Sequence, residues 1–430
     1  MTADVVPPGR RREPYLGRLA DAVLHELATD LPALLMLGPR AAGKTTTAAR
    51  MARQVVRLDR PGEAAAFAAD PDAALRAATR PVLLDEWQAV PDVLGAVKRA
   101  VDAGAPPGSF LLTGSVRAAI DAPGWPGTGR IVRVPLWGLT VRERLGRPLG
   151  AAPFVERLRD AVHRGEPALL TVDAGTGADL VEIVSLLAGS GFPEAALADA
   201  GRARRAWLRS YVDQLAERDA RALAGTAREP QRLRRFIEAV AAHTATTVEL
   251  ASLAMAAGVN RHTAAAYDDL LDDLWFLDRL PAYSSNRIKR LVRAPRRHVA
   301  DPALVLAALG LDESGVLADG TLLGRVIESF VVAQLRAEGA LADPPHRLSH
   351  LRTDQGRREV DVVVELGAER VVGIEVKAGS SAQPDDARHL AWLRDQLGDR
   401  FVAGAVLHTG RYAFDLGDRL VAAPIAALWS

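Results

Sequence analysis

The chain has 430 residues, a formal net charge of +1, 49% hydrophobic and 25% charged residues, and no cysteine. That length predicts two to three domains of ordinary soluble composition. The near-neutral balance argues against a strongly electrostatic partner for the whole molecule, and the missing cysteines exclude disulfides and thiolate metal sites.

The N-terminal stretch MTADVVPPGRRREPY carries charge with no apolar run behind it, so it does not read as a signal peptide. No apolar run reaches the ~18 residues of a membrane span. Both point to a cytoplasmic protein. From Leu31 to Pro135, short apolar runs alternate with helical stretches: ALLML, VVRLD, VLLDE and SFLLTGS are strand candidates. This alternation predicts an α/β domain with a mostly parallel sheet covered on both faces.

The first strand runs into Gly38-Pro39-Arg40-Ala41-Ala42-Gly43-Lys44-Thr45-Thr46, a full G-x-x-x-x-G-K-[ST] phosphate loop that opens a helix. Backbone N–H groups of such a loop wrap the phosphates of ATP, and the helix start adds favourable partial charge. Lys44 is placed to reach the β- and γ-phosphates and Thr45 to hold Mg²⁺. The apolar run Val82-Leu83-Leu84 then ends in Asp85 and Glu86. Asp85 is assigned to the Mg²⁺ shell and Glu86 to polarising the attacking water. A further strand ends in Thr113-Gly114-Ser115; either Ser115 or Thr113 can sense the γ-phosphate there, or the segment is a plain turn. A kinase would use the same loop, but no acceptor site is evident and the Asp-Glu pair favours water.

Lysine use supports the assignment. Of 54 Lys plus Arg only four are lysine: Lys44, Lys98, Lys289 and Lys377. A compact ammonium and a planar guanidinium are not interchangeable, and two of the four lysines sit in motifs that call for the ammonium.

These motifs, with the later GFPEA and AERDAR stretches, resemble prokaryotic AAA+ ATPases that carry a C-terminal domain of uncharacterised function with a restriction-endonuclease-like fold. The resemblance covers nearly the whole chain. It implies an AAA+ core, a helical lid, and ring or dimer chemistry with an arginine finger, for which Arg130 and Arg218 are the candidates.

Residues Gly146 to Gly191 are rich in Gly, Ala and Pro and read as a linker with some helix. Arg202 to Leu280 is helical, and Thr247 to Leu280 has the helix, turn, helix, strand order of a winged helix-turn-helix, with Gly258 at the turn. Asn260-Arg-His-Thr263 offers a face for DNA; Asp268, Asp269, Asp272 and Asp273 would repel it. DNA contact and packing on the ATPase core stay open alternatives. The run Ser285-Asn286-Arg-Ile-Lys289-Arg290, with Arg293, Arg296 and Arg297, is the most basic of the chain. It is either a phosphate guide or a solvated connector. Lys98 reads as an exposed helical residue.

Strands return after Arg290. REVDVVVEL carries Asp361 and RVVGIEVKA carries Glu375 and Lys377 on one face. A three-residue hairpin loop at 367–369 would set Asp361 opposite Glu375; a two-residue loop would not. This pattern resembles the Asp…Glu-x-Lys nuclease core, in which the carboxylates hold Mg²⁺ and the lysine helps activate water. Glu328 matches the acidic residue that family often has on its first helix. A retained fold without cleavage is the alternative.

The expected organisation is thus an AAA+ P-loop core over 1–145, a linker, helical lid and winged helix over 146–284, and a C-terminal α/β nuclease-like domain over 285–430. The expected activity is ATP hydrolysis, coupled either to DNA or RNA or, as a regulatory switch, to a protein partner. A homo-oligomer is compatible with both.

Overall fold

A computed structural model describes residues 15–115, 127–173, 175, 177–198, 201–219, 230–284, 294–353 and 357–430. Ser285, Asn286, Lys289, Arg290 and Arg293 lie outside the described residues, and so does the side chain of Arg218.

The first layer system is a five-stranded parallel sheet: β1 (Ala33–Leu37), β2 (Gln54–Arg57), β3 (Val82–Asp85), β4 (Phe110–Gly114) and β5 (Val132–Pro135), in the order β2-β3-β4-β1-β5. All five residues of β1 are buried, as are those of β3 and β4. Runs without polar alternation suit strands covered on both faces. The helix Leu19–Asp30 covers one face, and the helices Pro61–Ala69 and Val93–Asp102 help cover the other. The loop that leaves β1 lies at the carboxyl edge of the sheet, the edge where open α/β sheets hold ligands.

A helical middle region follows. The helices Leu250–Ala257 and Arg261–Asp273 meet at Gly258, whose φ of 65° closes the first helix. Asn260 caps the second by accepting from Thr263 N–H at 2.8 Å. β6 (Leu277–Leu280) and β7 (Arg296–Val299) then pair antiparallel. The segment read as a linker is docked instead. The helix Phe154–Arg164 receives Glu338 on the Phe154 N–H at 3.0 Å, and Val172 N–H bonds Arg411 C=O at 3.1 Å. Its amphipathic sequence, FVERLRDAVHR, buries Phe154, Val155, Leu158 and Ala161.

The C-terminal region is a mixed sheet: β8 (Arg347–Arg352), β9 (Glu359–Glu365), β10 (Val371–Val376), β11 (Phe401–His408), β12 (Phe414–Gly417) and β13 (Leu420–Pro424), in the order β12-β13-β11-β10-β9-β8. The helix Gly320–Gly339 packs on one face; Asp319 caps it by accepting from Thr321 and Leu322 N–H, both at 3.0 Å. The helix Arg388–Leu397 packs on the other. Gly367–Glu369 forms the connection from β9 to β10, with Val371 opposite Glu365 and Ile374 opposite Val362. That is the three-residue register, and one step further it sets Asp361 against Glu375. Among the described residues no helix is long and apolar enough to cross a membrane.

Candidate functional site: the phosphate loop and a buried carboxylate centre

The loop after β1 is shaped by residues that alternatives would not fit. A Cβ added at Gly38 would lie 2.0 Å from the Leu136 carbonyl oxygen. Gly43 has φ 91°, and Ala41 takes a left-handed φ of 61°, a cost that non-glycine residues bear mainly at sites the surroundings over-determine. Lys44 is buried and folds back on its own loop, donating to Gly38 O at 2.9 Å and Pro39 O at 2.6 Å. Burial pulls its ammonium down from 10.5 to about 8, against the raising effect of Glu86 and Asp85. Pro39 and Ala42 are buried, Arg40 is half-buried and Thr46 is exposed.

Opposite the loop, Asp85 Oδ1 accepts from Thr45 Oγ1 at 2.7 Å and from Thr113 Oγ1 at 2.5 Å. Thr113 also accepts from Glu86 N–H at 3.3 Å. Of the two residues offered at the β4 end, Thr113 joins the acidic pair, while Ser115 is buried one residue past the strand. Glu86 sits at φ 55° and is bonded by the Gln88 amide. Thr45 and the carboxylates of Asp85 and Glu86 form an oxygen set of the kind a Mg²⁺–phosphate unit uses. Arg130 precedes β5 at the amino edge of the sheet, where it donates to Asp102 Oδ1 at 2.8 Å. It is across the sheet from its own phosphate loop.

The C-terminal carboxylates are arranged differently from the expectation. Asp361 and Glu375 do come together, with Val376 N–H on Asp361 Oδ2 at 3.0 Å and Lys377 Nζ 3.4 Å from Glu375 Oε2. Glu375 is buried, and its carboxyl is pushed well above the usual range by burial and by Asp361. Glu328 is not part of a metal-binding group. The Arg296 guanidinium stands between it and Asp361, with Nη1 2.5 Å from Glu328 Oε1 and 3.1 Å from Asp361 Oδ1, while Nη2 pairs with Glu359. Among the described residues no three His, Cys, Asp or Glu side chains are gathered to hold one metal ion. The donor set of Glu328, Asp361 and Glu375 therefore does not fit a divalent ion as it stands. Of the arginines grouped with the basic run, Arg296 and Arg297 are described: both are buried, and Arg297 pairs with Asp268 at 2.9 Å.

Comparison with known proteins finds three matched segments along the chain. An AAA domain family matches residues 30–145. Two domains of unknown function, DUF8612 and DUF4143, match residues 182–315 and 323–428. The chain is 30% identical over 415 residues to the uncharacterized protein Rv2008c of Mycobacterium tuberculosis, which covers 95% of this chain and 83% of the relative. The uncharacterized protein Mb2031c of Mycobacterium bovis matches to the same extent. The chain belongs to this family of AAA-domain proteins. Its AAA domain makes it an ATP-binding protein of the P-loop ATPase kind.

Around the AAA domain lie residues that sequence reading missed, Arg18 ahead of the matched segment 30–145 and Arg142 and Glu143 at its end. Arg18 is buried and donates to Ala42 O of the phosphate loop at 2.9 Å, to Trp137 O at 2.7 Å and to Glu143 Oε1 at 3.1 Å. Glu143 also accepts from Leu19 N–H at 2.7 Å and from Thr140 N–H at 2.6 Å. Next to it, Arg142 lies 3.3 Å from Glu338, and Val141 N–H donates to Gln334 Oε1 at 2.8 Å. Both acceptors belong to the helix Gly320–Gly339 of the DUF4143 region. The four-residue helix Val141–Arg144 thus touches the phosphate loop through Arg18 and the C-terminal domain through Arg142. Thr140-x-x-Glu143 is a capping-box pattern and was readable as such. Arg18 was one arginine among many.

Proposed function

We propose that this protein is a Mg²⁺-dependent ATPase that works as a switch, with its nucleotide state passed to the C-terminal domain through Arg18, Glu143, Arg142 and Glu338. The observation that carries the proposal is the buried Arg18 guanidinium, shared between the phosphate loop and Glu143. A ligand that re-forms the loop carbonyls must move that guanidinium or be held by it.

The chemistry follows from the residues. On ATP binding, Lys44 exchanges the Gly38 and Pro39 carbonyls for β- and γ-phosphate oxygens, and loop N–H groups from Arg40 to Thr45 surround the β-phosphate. Mg²⁺, held by Thr45 with Asp85 beside it, would neutralise charge on the β- and γ-oxygens. Thr113 fixes Asp85. Glu86, oriented by Gln88, accepts a hydrogen bond from the attacking water and aligns it with the γ-phosphorus. The water oxygen bonds to the γ-phosphorus as the bond to the β–γ bridging oxygen breaks, Glu86 takes up the water's proton, and ADP and inorganic phosphate leave. Arg130 can serve as the finger only for nucleotide held by a neighbouring copy, which makes the active species an oligomer.

The helix Leu250–Ala257, the helix Arg261–Asp273 and the β6–β7 hairpin have winged-helix form. Two of their arginines, Arg279 and Arg297, pair with Asp268 and Asp269, which favours packing there, while Arg261 at the start of the second helix is exposed. A second reading, a nuclease-like C-terminal domain, is favoured by the Asp361, Glu375 and Lys377 arrangement alone. Phosphate release and cleavage of labelled DNA and RNA should be measured on wild type, Lys44→Ala, Glu86→Gln and Lys377→Ala. The switch reading expects turnover lost in Lys44→Ala, nucleotide still bound but turnover lost in Glu86→Gln, and no cleavage. ATP turnover that survives Lys44→Ala defeats it. Cleavage that vanishes in Lys377→Ala establishes the second reading.

A further inference from the structure

We infer that Arg296 is the resident cation of the C-terminal carboxylate centre, and that the centre takes no divalent metal ion while the β6–β7 hairpin is docked. The inference concerns the DUF4143 centre and stands apart from ATP hydrolysis.

The geometry makes the two cations competitors. A hard divalent ion shared by Glu328 and Asp361 needs one oxygen from each at 2.0–2.6 Å. Arg296 Nη1 already occupies the facing oxygens, Glu328 Oε1 and Asp361 Oδ1, at 2.5 and 3.1 Å. The second Asp361 oxygen is taken by the Val376 N–H at 3.0 Å. Nη2 is turned to Glu359, so one planar fork serves three carboxylates. Lysine could not do this with one compact ammonium, and a guanidinium does not lose its proton to make room. Around the centre, His298 is buried and its imidazole is pushed well below its ordinary range, so it adds no second cation, and Lys377 Nζ lies 3.4 Å from Glu375 at the strand end.

The origin of Arg296 matters as much as its contacts. Arg296 begins β7, which is paired to β6 of the middle region; Glu328 is on the helix Gly320–Gly339; and Glu359 and Asp361 are on β9. The hairpin is also tied to β8, through Tyr283 N–H to His350 O at 2.6 Å and His350 N–H to Pro281 O at 3.0 Å. The carboxylate centre therefore joins the middle region to the C-terminal sheet. A metal ion could enter only by withdrawing the first residue of β7 from that seam.

The test is a Mn²⁺ titration of the full-length chain followed by electron paramagnetic resonance, without nucleotide, so that no phosphate oxygens complete the Thr45, Asp85 and Glu86 set at the phosphate loop. Wild type and Asp361→Asn should bind Mn²⁺ equally weakly. Arg296→Gln should gain one site at least about tenfold tighter, and Arg296→Gln with Asp361→Asn should lose it. A wild-type site that disappears in Asp361→Asn overturns the inference. So does a folded Arg296→Gln protein that gains no site. If Arg296→Gln does not fold, the wild-type against Asp361→Asn comparison still decides, with Arg296→Lys as the folded variant in which a partial gain is expected.

Discussion

Replacing Glu143 by Gln removes one charge from a side chain that is almost fully buried and saturated with donors. Its Oε1 accepts from Arg18 Nε and Leu19 N–H, and its Oε2 from the Thr140 N–H and hydroxyl. The glutamine oxygen can serve one of these pairs; its NH₂ then faces two donors on the other side. Each buried donor left without an acceptor costs about 1–3 kcal/mol, and Arg18 also loses the counter-ion to a guanidinium that is 5% exposed. The terms overlap, and the loss of one partner of a buried pair sets the total at roughly 3–5 kcal/mol. For a cooperative unit the size of the AAA domain this lowers the Tm by about 12–20 °C. Arg18 also holds Ala42 O, so ATP affinity should fall by about 5- to 150-fold, the range of ordinary coupling energies. Tryptophan-fluorescence melting and titration with a fluorescent ATP analogue read the two effects. Glu182→Gln is the control, because Asp179 and Glu182 form the same capping box at an exposed site. If Glu143→Gln and Glu182→Gln melt within about 2 °C of one another, the burial argument is wrong.

Three further outcomes are expected. The Lys44 ammonium has a folded value of about 8 against an ordinary 10.5, so the nucleotide-free fold binds fewer protons than the unfolded chain between those values. The penalty, about 3 kcal/mol, is fully present below pH 8, and stability rises with pH from 8 to 10.5; urea midpoints of wild type should show that rise and those of Lys44→Met should not. Gly114→Ala would place a Cβ 2.5 Å from Trp87 Nε1, beside the acidic pair. It should cost about 1–3 kcal/mol in chemical denaturation and lower ATP turnover, and an unchanged midpoint would show that Trp87 can move. Arg130→Ala should leave the Kd for ATP unchanged while lowering turnover by at least about tenfold under conditions where the chain self-associates. Equal turnover at all protein concentrations removes Arg130 from the reaction.

The nucleotide half was legible because its signal is local. A five-residue apolar run, a glycine loop, a lysine and a second strand ending in Asp85-Glu86 each have one structural meaning at that spacing. The structure adds what spacing cannot hold: that Thr113 is the residue bonded to Asp85, and that Arg18, 24 residues before Ala42, is the side chain fixing the phosphate loop. Likewise the segment after Gly146 has weak propensity as sequence, because its helix is set by tertiary contact. Phe154 and Leu158 give it an apolar face, and that face is decided only by docking on the C-terminal sheet.

The C-terminal centre shows where a correct local reading leaves the chemistry open. The hairpin register follows from the loop length, and it does align Asp361 with Glu375. Register, however, says which acidic residues share a region, not which cation balances them. That cation comes from 65 positions upstream, on a strand whose sequence, RRHV, reads as a solvated basic run. A buried acidic cluster must be neutralised by protons, metal or an internal base, since an isolated buried carboxylate is too costly to keep charged. Sequence supplies the carboxylates for all three solutions equally. Only the placement of Arg296 separates them, and an arginine-rich chain conceals that placement among fifty equivalent letters.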